Sequence, residues 1–181
     1  MRHRLFIALV SVASLCAASA AAQEVTPQIL LGSGHMGRYE WAVEVEAPED
    51  ENELRQGAIC LSVIMLEPTS AHTAEGNEVA QCGVLEPQTP MIEIYDGGAR
   101  RKPRRVIGML IGGEARTLRL KLAGQPVRYV RLRTIDKKSL EPITKTRVTY
   151  FVHGYAQAVC IQHAVAFDAT GAPVARIGRQ C

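Results

Sequence analysis

The feature that most constrains this chain is alternation with a period of two. Leu118, Leu120 and Leu122 alternate with Thr117, Arg119 and Lys121, and Trp41, Val43 and Val45 alternate with Glu40, Glu44 and Glu46. Successive side chains of a strand point to opposite faces, so this pattern buries one face of a sheet and wets the other. Nine segments read as strands: residues 39–47, 58–66, 91–95, 105–111, 117–123, 127–135, 146–153, 158–167 and 173–177. Residues 58–66 are nearly all apolar, which suits a central strand, and Asp168, Thr170 and Gly171 supply turn chemistry between the last two segments. Helical periodicity is confined to a short turn over 48–56, opened by Pro48 and ended by Gly57. Residues 67–90 form the longest irregular stretch. Many short strands without intervening helices predict an all-β chain, an antiparallel Ig-like β-sandwich of about nine strands. The sandwich is expected to occupy residues 39–181 as one domain, after a flexible N-terminal segment over 23–38.

Ahead of that segment, Arg2 and Arg4 precede an apolar run and then small residues through Ala22. This is the order of a secretory signal peptide, expected over 1–22, and it predicts a secreted or extracytoplasmic protein. Lipidation of Cys16 is disfavoured, because Leu15 stands directly before it where a small residue belongs. No later apolar run approaches the roughly 18 residues of a spanning helix. Four further cysteines, Cys60, Cys82, Cys160 and Cys181, form an even set that reads as two disulfides in an oxidising compartment. Three pairings are open. Cys60 with Cys82 and Cys160 with Cys181 is favoured, since each joins sequence neighbours and closes a loop worth roughly 3 kcal/mol in chain entropy. The sequence holds no C-x-x-C pair that would favour zinc.

Gly37, Trp41, Cys60 and Leu61 on a strand, Cys82 and Gly83 after a polar stretch, and Val165, Ala166, Phe167 and Asp168 with Gly171 make an order that resembles uncharacterised exported bacterial β-sandwich proteins. The resemblance spans most of residues 35–181 and implies the fold alone; it brings no activity, cofactor or site residue. It differs from the antibody pattern, in which a tryptophan lies between two bridging cysteines; here Trp41 precedes all four.

Local motifs for chemistry fail on context. Gly32, Gly34 and Gly37 spell G-x-G-x-x-G, but the dinucleotide fingerprint needs a strand before it and a helix after it, and here a β-alternating run follows. Ser33, Ser62, Ser70 and Ser139 lie in no nucleophile elbow and no S-x-x-K. His35, His72, His153 and His163 are the candidates for copper or zinc ligation, though they form no H-x-H or H-E-x-x-H pair. The carboxylates of Glu49, Asp50, Glu51 and Glu53 lack the spaced order that wraps calcium.

Charge is divided unevenly along the chain. Residues 23–99 carry fourteen acidic side chains against Arg38 and Arg55, a net of −12, whereas residues 100–181 carry seventeen basic against four acidic, a net of +13. The candidates for a basic surface are Arg100, Arg101, Lys102, Arg104 and Arg105 on a turn, then Arg119, Lys121, Arg128, Arg131 and Arg133 on strands. Alternation places Arg119 with Lys121 on one face, and Arg131 with Arg133.

Two arrangements are open at this level. The basic strands form an exposed surface for a polyanion, or the acidic half lies beside them and neutralises them through weak surface ion pairs. Nucleic acid is disfavoured as the polyanion, because aromatic interleaving is limited to Tyr129 and Tyr150. A bipolar domain also invites head-to-tail self-association. The expectation is an exported, non-enzymatic binding or structural module of the cell envelope or exterior, with no cofactor. A small metal-binding protein using the four histidines is the alternative.

Overall fold

The computed structural model describes residues 27–67, 75–86, 88–97 and 104–181. Within them the chain forms twelve strands and two short helices, in the order β1 Gln28–Met36, β2 Tyr39–Glu46, α1 Glu51–Arg55, β3 Ala58–Glu67, β4 Glu75–Val84, β5 Met91–Gly97, β6 Arg104–Gly112, β7 Thr117–Leu122, β8 Arg128–Arg131, β9 Arg133–Thr134, α2 Lys137–Leu140, β10 Val148–Tyr155, β11 Ile161–Phe167 and β12 Pro173–Ile177. All ladders are antiparallel. No helix among the described residues is long and apolar enough to cross a membrane.

The strands build three four-stranded sheets in place of the two of an Ig-like sandwich. Sheet I runs β1-β2-β3-β4, sheet II runs β5-β6-β10-β9, and sheet III runs β12-β11-β7-β8. The cause lies in β6, whose run Val106–Ile111 is apolar on both faces and buried throughout. A strand of that composition must be covered from both sides. Val106 and Leu110 join Val43, Leu61 and Val63 of sheet I in one core, while Ile107, Met109 and Ile111 join Leu118, Leu120 and Ile161 of sheet III in another. Between them, Gly108 brings β6 close to sheet I: a Cβ there would lie 2.9 Å from Val43 Cγ1. Sheet II is therefore the middle layer, and sheets I and III present their outer faces on opposite sides.

Twelve strands replace the expected nine for three local reasons. Residues 28–36, expected within a flexible segment, pair along β2 from Gln28↔Glu46 to Met36↔Tyr39. Residues 75–84, expected to be irregular, form the edge strand β4 on β3. The segment 127–135 divides at buried Leu132, where the chain leaves sheet III as β8 and enters sheet II as β9; strands that switch sheets make the corners of packed β architectures.

Both favoured disulfides are present, Cys60 to Cys82 and Cys160 to Cys181, with Cα separations of 4.0 and 4.5 Å. Cys60 and Cys82 are also register partners on β3 and β4. The expected helical turn begins at Glu51, three residues after Pro48 rather than on it: Asp50 is the N-cap and accepts from the Asn52 and Glu53 amides at 2.7 and 3.1 Å. Gly57 ends it at φ +77°. The acidic cluster is thus occupied locally, with Glu51 also paired to Arg55 at 3.1 Å.

Candidate functional site

The outer face of sheet III collects cations by register. One row crosses all four strands, Arg176 beside Val165, Val165 beside Arg119, and Arg119 beside Tyr129. The flanking rows place His163 beside Lys121 on one side, and Phe167 beside Thr117 and Arg131 on the other. Leu118, Leu120 and Leu122 are buried on the reverse side, so alternation turns Arg119 and Lys121 outward. The four strands carry Arg119, Lys121, Arg128, Arg131 and Arg176 and no Asp or Glu.

Local contacts set how available each cation is. Arg119 lies with its guanidinium carbon 6.0 Å from the Phe167 ring centroid, and its Nε is buried without a hydrogen-bond partner. Lys121 donates from Nζ to the Gln125 carbonyl at 2.6 Å, which closes the turn after β7. Arg131 and Arg176 are exposed. Tyr129 is 69% exposed and ends the Arg176 row on β8, two residues before Arg131. Tyr150 lies elsewhere, packed against the core shared by sheets I and II.

Seven of the ten sequence candidates lie off this face or outside the described residues. Arg105 is only 7% exposed; it donates to both carboxylate oxygens of Asp96 and to the Val159 carbonyl, so it is a structural cation. Arg104 lies 4.4 Å from the Tyr39 ring centroid, and a Cβ on Gly37 would sit 2.7 Å from its Nη2. Arg133 pairs with Tyr150 on sheet II and does not project with Arg131, because the chain changes sheet at Leu132. Arg128 is the register partner of inward-facing Leu120 and acts on His153 and Tyr155 of β10. Arg100, Arg101 and Lys102 lie outside the described residues. Arg176 joins the face although sequence reasoning passed over it; the strand 173–177 was expected, and alternation from buried Ala175 and Ile177 would have turned Arg176 outward.

The acidic half forms the opposite pole. Trp41, Val43 and Val45 pack against the core shared with sheet II, so Glu40, Glu44 and Glu46 of β2 face outward, joined by Glu78 of β4. The strands of sheet I hold six Glu and no Lys or Arg. Partial burial, then repulsion from Glu46 and Glu78, raises the Glu44 carboxyl above its ordinary range. Stacked sheets lie about 10 Å apart, which puts the two outer faces about 20 Å apart. That is roughly two screening lengths at 0.1 M salt. The ion pairs His35–Glu40, Arg55–Glu51, Arg105–Asp96 and Arg147–Glu114 do not join the two poles.

The histidines are dispersed. His35 is on β1 beside Glu40 of sheet I, His153 is on β10 of sheet II, and His163 is on the outer face of sheet III; His72 lies outside the described residues. No group of three His, Cys, Asp or Glu that would hold a metal ion occurs among the described residues. The G-x-G-x-x-G glycines have packing causes. A Cβ on Gly32 would meet Val152 at 3.3 Å and one on Gly34 would meet Trp41 at 2.8 Å, while Gly37 turns the β1–β2 hairpin at φ +69°. Three polar groups of a cleft of about 800 Å³ beside α2 are engaged: Asp136 caps α2, Arg147 pairs with Glu114, and Thr144 Oγ1 accepts from the Thr146 amide. No protein family, curated protein or solved structure matches the chain.

Proposed function

We propose that this chain is an exported, non-enzymatic binding module whose working surface is the outer face of sheet III and whose ligands are polyanions of the cell envelope or exterior. The observation that carries the reading is the segregation of charge by sheet: Arg119, Lys121, Arg131 and Arg176 on the outer face of sheet III, whose strands hold no carboxylate, with the carboxylates of sheet I beyond the middle layer. Such a face gains affinity by releasing counterions from the polymer it covers and loses affinity in salt. Arg131 and Arg176 reach outward as exposed charges from the two edge strands of the sheet, and Tyr129 beside Arg131 offers a ring against an apolar or sugar surface. Two disulfides and a leader-like N-terminus fit an oxidising, extracytoplasmic setting. Retention of the oxidised protein on an anionic polymer column tests the reading. Elution well after a charge-matched control, advanced by Arg131→Gln with Arg176→Gln, supports it; elution with the control overturns it.

A further inference from the structure

We propose that the acidic outer face of sheet I docks onto the basic outer face of sheet III of a second copy of this chain, so that copies stack head to tail. The inference uses the same basic face as the polyanion reading but stands on a different surface, the carboxylates of β2 and β4. The outer face of sheet I carries Glu40, Glu44, Glu46 and Glu78, with no Lys or Arg on its strands, and the outer face of sheet III carries Arg119, Lys121, Arg131 and Arg176, with no Asp or Glu on its strands. Sheet II stands between them, so one molecule cannot fold its two poles together. A neighbouring copy is the nearest object that matches both.

The acidic face is crowded with like charge: Glu44 feels both Glu46 and Glu78, which raises its pKa beyond the effect of its burial. Cations placed over that face relieve the repulsion, and Arg119 and Arg176 share one row, with Arg131 in a flanking row, on a sheet of the same four-strand width. Because the complementary faces lie on opposite sides, a two-fold dimer would set like charge against like. The contact is heterologous instead, and contacts of that kind propagate as open chains unless a rotation closes them. Polyanion binding and stacking then compete for sheet III, and a bound polymer ends a stack at that face.

Sedimentation velocity tests this with two triple variants of the purified chain, Glu40→Gln/Glu44→Gln/Glu78→Gln and Arg119→Gln/Arg131→Gln/Arg176→Gln. At about 10 mM salt, where screening reaches about 30 Å, the wild-type protein is expected as species heavier than a monomer that grow with concentration, and as a monomer at about 1 M salt, where screening falls to about 3 Å. Each variant alone is expected to be monomeric. Their equimolar mixture retains one working interface and is expected to stop at a 1:1 dimer. A wild-type monomer at low salt overturns the inference, as does a glutamate variant that still associates like wild type. The glutamate variant, monomeric, is expected to keep its retention on anionic polymer; for the wild-type protein, polymer binding without stacking removes only this inference, and stacking without polymer binding removes only the proposed function.

Discussion

Arg105 and Asp96 face each other as register partners on β6 and β5 and form a two-pronged ion pair, Nε to Oδ1 at 2.5 Å and Nη2 to Oδ2 at 2.6 Å. The remaining guanidinium nitrogen, Nη1, donates to the Val159 carbonyl, so one buried side chain ties the β5–β6 hairpin to the segment before β11. Removing the carboxylate leaves a cation that is almost out of water with a single partner. Asp96→Ala is expected to cost about 2 kcal/mol, near the value of a hydrogen bond to a charged group. Thermal unfolding measures it. Polyanion retention should be unchanged, because this arginine is outside the sheet III face; a variant that unfolds like wild type would contradict the structural role.

Trp41 is held between two glycines of different sheets. A Cβ on Gly34 of β1 would lie 2.8 Å from its ring, and a Cβ on Gly154 of β10 would lie 2.7 Å from Nε1. Gly154→Ala therefore forces the indole to move, an overpacking cost of about 1–3 kcal/mol. The single tryptophan reports on it directly. A changed emission maximum with reduced stability is expected, and unaltered emission would show that the contact is slack.

His153 carries a pKa below its ordinary 6.5, first because it is partly buried and second because Arg128 is near. The unfolded chain then binds the extra proton first on acidification. The stability contributed by neutral His153 is complete above about pH 6.5 and lost as pH falls through the folded-state value. Arg128→Gln is expected to raise the pKa part of the way back, since burial remains. An NMR titration of the imidazole checks this, and an unshifted midpoint would remove Arg128 as a cause.

For Glu44 the sign is opposite. Its raised pKa means that the folded state holds the proton more tightly, so its contribution to stability falls as pH rises from the ordinary glutamate range through the folded-state value. Glu44→Gln is expected to be neutral to slightly stabilising at pH 7, with the difference shrinking in acid. Loss of stability at pH 7 would show that the Gln28 amide, which donates to Glu44, outweighs the repulsion.

The alternation of Thr117–Leu122 and Tyr39–Glu46 made the sheets legible, and each of the nine expected segments lies on strands. The missed strands break the pattern for physical reasons: β1 carries Gly32 and Gly34 and a register shift between Leu30 and Gly32, while β4 is a polar edge strand. The third sheet was announced by the apolar run Val106–Ile111, which only a strand covered on both faces accommodates. Both disulfides followed from sequence proximity, as neighbours joined by a hairpin or a chain end. Alternation turned Arg119, Lys121 and Arg131 toward the outer face, where the register places them. It misplaced Arg133, because a sheet change at Leu132 leaves no local mark, and it overlooked the burial of Arg105, because its partner Asp96 sits across a hairpin.

The salt dependence of polyanion binding is the most direct test of whether sheet III presents an unneutralised cationic face. Three to four displaced counterions predict a slope of about −3 in log K against log salt for wild-type protein. Arg119→Gln/Arg131→Gln/Arg176→Gln is expected to flatten that slope to near zero and weaken binding at low salt. A wild-type slope near zero, or one that the triple variant leaves unchanged, would contradict the account.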